Sequence, residues 1–173
     1  MVLAIIGGLI YLAIWYSFRT TSEDVSNLKP FSKIIGKELI TKQPCFIAYN
    51  YKHVVKKNSY IIAMKQNKLS GNVTELQELP VGTLLKVTET KRFTNGVTGF
   101  KSTYVLGSVY LENFQREVEF EFAWGSKNYG TDLKGNFFSY SLAPWQDKPL
   151  EVMYDYEQGI ERLYQNYNQK NTP

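Results

Sequence analysis

The stretch REVEFEFAW, residues 116–124, constrains the fold more than any other. Glu117, Glu119 and Glu121 take every second position, and Val118, Phe120, Phe122 and Trp124 fill the positions between. A period of two puts the glutamates on one face of a strand and the apolar side chains on the other. Such a strand is half-buried and needs neighbours, so the chain is expected to build a sheet. Composition agrees, because 13 Tyr and 10 Phe are residues that fit a pleated surface.

Other segments carry the same signature. KELITKQ (37–43) alternates weakly, while CFIAYNY (45–51) and SYIIAMK (59–65) are short apolar runs. In TLLKVTETKRF, strict alternation puts Leu85, Val87, Glu89, Lys91 and Phe93 on one face. Turn chemistry stands at Ser70-Gly71-Asn72 and Pro80-Val81-Gly82, and Asn95-Gly96 marks a hairpin. Beyond it, Val105, Val109 and Leu111 oppose Tyr104, Leu106 and Tyr110, with Gly107 marking a bulge or bend. The expected fold is mainly β: a small antiparallel barrel or sandwich of about five to seven strands over residues 36–150. At the C-terminus, Val152, Tyr156, Ile160, Leu163 and Tyr167 follow helical spacing, and Asp155 with Gln158 suits a capped start. One helix is expected over 151–168, then a frayed tail over 169–173.

The first eighteen residues, MVLAIIGGLIYLAIWYSF, hold no charged side chain. As a helix they span roughly 27 Å, near the thickness of a bilayer's hydrocarbon core. Trp15, Tyr16 and Phe18 crowd one end, where aromatic rings favour the headgroup region. No small-x-small cleavage pattern follows and no basic residues precede, which favours an uncleaved transmembrane anchor over a signal peptide. The lack of preceding basic residues also points to a start slightly upstream. Residues 19–35 read as a juxtamembrane linker. The basic residues after the span would place the domain in the cytoplasm by the positive-inside rule. Association of such anchors with small β domains instead favours the periplasmic or outer face.

LPVGTLLKV, residues 79–87, resembles the start of a strand in bacterial SH3-like barrels, where a proline-glycine turn leads into an alternating apolar run. The hairpin that follows and FEFAWG are compatible with such a barrel, so the resemblance covers residues 36–125. It implies a small barrel that binds cell-wall or protein ligands, and it brings no catalytic residues.

The inventory of chemistry is short. Cys45 and His53 are single of their kind, so neither a disulfide nor a common zinc cluster can form within the chain. No carboxylate-rich calcium loop is present, and no cofactor or metal is expected. The net charge of +4 is scattered, which argues against nucleic acid. Cys45 reads as a buried thiol and His53 as a loop residue among lysines. The three glutamates read as a solvated face. The basic group Lys52, His53, Lys56, Lys57, Lys65 and Lys68 reads first as a solvated loop, with anionic headgroups or wall polymers as the alternative. In the 126–147 stretch, Tyr129, Phe137, Phe138, Tyr140 and Trp145 either fold back over the sheet or form a recognition surface.

These observations predict a single-pass, non-catalytic binding domain of the bacterial envelope, anchored in the bilayer through residues 1–18. Its expected contacts with a protein or envelope polymer are Phe138, Tyr140, Trp145, Lys52, Lys56 and Lys57. A membrane-anchored immunity protein, with Glu117, Glu119 and Glu121 plugging a basic toxin cleft, is the alternative. A hydrolase using carboxylates would need Glu119 in a deep pocket.

Overall fold

The computed structural model describes residues 7, 8, 11, 15, 16, 18–49, 60–66, 73–128 and 136–163. Their strands are β1 (Thr21–Asp24), β2 (Glu38–Ile40), β3 (Cys45–Tyr49), β4 (Tyr60–Met64), β5 (Thr74–Leu79), β6 (Leu84–Thr94), β7 (Lys101–Leu111), β8 (Arg116–Lys127), β9 (Phe137–Ser139), β10 (Val152–Asp155) and β11 (Ile160–Leu163). Single 3-10 turns occur at Phe31–Lys33 and Glu112–Phe114. The fold is mainly antiparallel β, as the alternation requires. Its main path runs β1-β6-β7-β8-β4-β3-β5, with β2 beside β6, β9 beside β8, and β10 between β9 and β11. The path ends at β1 and β5, so the sheet is open; the sequence leaves a barrel or a sandwich as alternatives. Among the described residues one pairing is parallel, β4 with β8, through Tyr60 opposite Phe120 and Ile61 opposite Glu121.

The core lies on the inner face of β6, β7 and β8. Leu85, Val109 and Val118 form one cross-strand row, and Val87, Gly107 and Phe120 the next. A Cβ on Gly107 would stand 2.2 Å from the Lys86 carbonyl oxygen and 2.9 Å from the Phe120 ring. Glycine is therefore needed here for close approach. The bulge sits on the opposing strand, where the register shifts between Val87 and Glu89. That extra residue reverses the parity of β6. The inner face continues as Thr90 opposite Val105 and Arg92 opposite Thr103, not as Glu89, Lys91 and Phe93. The turn before β6 is held by buried Thr41, whose hydroxyl donates to the Pro80 carbonyl at 2.6 Å and accepts from the Thr83 N–H at 2.9 Å.

Two expectations are corrected. Residues 151–163 form the β10–β11 hairpin and not a helix; Val152 pairs with Leu163 and Asp155 with Ile160. Asp155 does cap, but it caps a turn: its Oδ1 accepts from the N–H groups of Glu157 and Gln158, and Gly159 takes φ 67°. Residues 19–35 are not a spacer. They contribute β1, which pairs with Thr94 to Lys91 of β6, and Val25 and Phe31 enter the core. β5 lies between the turn signals at 70–72 and 80–82, in residues to which the sequence assigns no element.

The expected anchor lies largely outside the described residues, as do Lys52, His53, Lys56, Lys57 and the tail from residue 164. Gly7, Gly8, Tyr11, Trp15 and Tyr16 are helical and exposed. Among the described residues no helix is long and apolar enough to cross a membrane.

Candidate functional site

Ser102, Ser126 and Ser139 stand side by side across β7, β8 and β9. With Ala123 and Gly125 they form a floor of small residues. Phe100, Tyr104, Tyr140, Ser141, Pro149, Leu150 and Glu151 complete the lining of an open groove of about 730 Å³. That volume falls within the range of ligand sites, roughly 300–1,000 Å³. Gly125 contributes through its backbone: it has φ 109°, and a Cβ there would lie 2.6 Å from the Tyr140 ring. Ser139 Oγ donates to Asn128 Oδ1 at 3.0 Å. Among the described residues that line the groove, Glu151 is the one carboxylate and no histidine stands beside a serine.

Behind the groove Phe137, Phe138, Tyr140 and Trp145 of the 126–147 stretch are buried, while Tyr129 lies outside the described residues. Trp124 meets Tyr140, Trp145 and Phe31 with ring centroids 5.3, 5.4 and 5.7 Å apart, each edge-to-face. Its indole N–H donates to the Ser141 carbonyl at 3.0 Å. The Tyr156 hydroxyl donates to the Lys29 carbonyl at 2.5 Å. The Tyr140 hydroxyl must then donate to the Tyr156 oxygen, with which it is hydrogen-bonded. Burial pushes both hydroxyls up, Tyr156 to about 12. Both are neutral near pH 7 and serve as hydrogen-bonding struts.

Arg92 closes this layer. It is 6% exposed. Its guanidinium carbon lies 4.5 Å from the Phe138 centroid and 4.3 Å from that of Tyr156. Its Nη1 donates to Glu23 Oε1 at 3.2 Å. The reversed parity of β6 is what sends this residue inwards.

The residues expected to bind are therefore placed differently. Phe138, Tyr140 and Trp145 are buried core residues, so their rings are packing surface rather than an exposed recognition face. Tyr140 alone of the three also lines the groove. The Lys52, Lys56 and Lys57 expectation falls outside the described residues. The glutamate strip is broken. Glu117 and Glu119 are exposed, while Glu121 is 0% exposed. Glu117 accepts from Ser108 Oγ at 2.8 Å and pairs with Lys86 at 3.3 Å, and these contacts hold its carboxyl below the usual range. Arg92 is on the inner face and takes no part in the strip. Glu119 is exposed and does not line this groove. Cys45 is buried against the Leu79 carbonyl, with its thiol pushed up by burial to about 11. Among the described residues no three His, Cys, Asp or Glu side chains gather as a metal site.

The groove residues went unnoticed in the sequence because they come from separate strands and a loop. Their one common signal is small side chains at outward strand positions. No family model, curated protein or solved structure matches this chain.

Proposed function

We propose that this chain is a membrane-anchored, non-catalytic binding domain whose ligand lies in the groove floored by Ser102, Ala123, Ser126 and Ser139. The groove is the observation that carries this reading. Serine hydroxyls beside the Phe100 and Tyr104 rings suit a neutral, hydroxyl-rich polymer such as an envelope glycan, which needs hydrogen bonds and flat apolar faces together. The apolar residues 1–18 support an anchor, with the domain on the outer side of the membrane, where such polymers are found. The resemblance of residues 79–87 to bacterial SH3-like domains supports the same reading. Leu79 ends β5, and the proline-glycine turn leads into β6.

Filling the groove tests it. Ala123 is exposed on the floor, so Ala123→Phe should leave the melting temperature near that of the parent and abolish co-sedimentation with insoluble wall glycan. Equal sedimentation of parent and variant, or no sedimentation of the parent, would overturn the assignment.

A further inference from the structure

The chain enters the β domain against the β6–β7 turn. A Cβ on Gly96 would come within 2.5 Å of the Arg19 carbonyl oxygen and of the Phe18 carbonyl carbon. Glycine at this position lets the two backbones touch. The turn itself is rigidly built: Asn95 Oδ1 accepts from the Val97 and Thr98 N–H groups at 2.9 Å, and the Gly99 N–H donates to the Asn95 carbonyl at 2.8 Å. This rigid tip holds Val97 at 69% exposure, with Phe100 also exposed. Trp15, Tyr16 and Phe18 expose their rings on the segment that arrives there. β1 starts at Thr21, three residues after Phe18. At about 3.5 Å per residue, that leaves only about 10 Å of chain between the aromatic end of the apolar segment and the sheet.

From this geometry we infer that the β6–β7 tip, residues 95–100, rests on the lipid surface beside the apolar segment, with Val97 in the headgroup region. The inference depends on residues 1–18 being a membrane anchor. A short, packed connection cannot hold the domain away from the bilayer, and the tip is what the connection touches. Aromatic and aliphatic side chains at such a depth are favourable, and a neighbouring exposed arginine, Arg19, suits the headgroups. Phe100 also walls the groove, so the groove lies at the membrane-proximal end of the domain. Its ligand would be captured close to the lipid surface.

The test uses the full chain reconstituted in phospholipid vesicles. A single environment-sensitive dye is attached at Val97→Cys, at Thr98→Cys, or at Asn113→Cys. Asn113 lies at the far end of β7, whose eleven residues span roughly 35 Å. Buried Cys45 makes the unsubstituted chain the blank. Quenching by lipids spin-labelled near the headgroup should be several-fold stronger at residues 97 and 98 than at 113. If the chain does not float with vesicles, the anchor reading fails and this inference fails with it. If it floats but the tip labels are quenched no more than the Asn113 label, the anchor stands and the inference is overturned.

Discussion

At Arg92 two kinds of partner compete to explain a buried guanidinium. The Glu23 side chain is 58% exposed, and an ion pair with a partner so wet contributes little. The Phe138 and Tyr156 rings are within 4.5 Å and are part of the core layer. Each such contact is worth about 0.5–2 kcal/mol, and the arginine stem adds packing. Arg92→Ala should therefore cost about 2–4 kcal/mol in chemical denaturation. Glu23→Ala should cost under about 1 kcal/mol. Equal losses would show that the carboxylate, not the rings, holds Arg92 in place.

At the level of elements, β6 and β7 are matched by a bulge against a glycine. Gly107→Ala pushes a methyl group into the Lys86 carbonyl, a backbone atom that cannot swing away. A loss above about 3 kcal/mol is expected, read as a lowered denaturation midpoint with unchanged slope. A neutral variant would mean that β6 can slide at the bulge. The same bulge shows where the sequence could be read and where it could not. The alternation at 116–120 is recovered residue by residue, because one face of β8 is wet there. It fails at Glu121, where both faces are covered. It fails again beyond Val87, because an inserted residue in one strand changes parity without altering composition. The C-terminal helix was misread for a different reason. Val152, Tyr156 and Ile160 are four residues apart, and four is a multiple of both a helical turn's approximate length and the strand period. The ladder from Val152 opposite Leu163 to Asp155 opposite Ile160 settles it as a strand. The groove was not legible at all, since it depends on which small residues become lateral neighbours.

For the molecule as a whole, the titrating groups give an asymmetric pH profile. Burial raises Cys45 from 9.0 to about 11 and Tyr156 from 10.0 to about 12. An acid that holds its proton more tightly when folded stabilises the fold below its ordinary pKa. That contribution is lost as pH rises through the folded value. Asp24 and Glu157 are shifted the other way, by the Ser26 hydrogen bonds and chiefly by Lys101. Their contribution is present above their ordinary values of 3.8 and 4.5 and lost as pH falls, but they are exposed and contribute little. The melting temperature should fall steeply between pH 9 and 12 and gently in acid. Tyr156→Phe should flatten the upper part of the alkaline fall; an unchanged limb would assign the loss to other groups.

The parallel seam between β4 and β8 has a kinetic side. It joins the β3–β4–β5 group to the β6–β7–β8 group through two residue pairs, and Tyr60 is sixty positions from Phe120 along the chain. Each group is local and can assemble early, whereas the seam must wait for both and for the closure of a long loop. During that wait Tyr60-Ile61-Ile62-Ala63-Met64 offers an apolar edge on which another nascent copy can pair. The yield of native molecules is then a race between closure within one chain and encounter between two, decided by concentration and not by the depth of the native well.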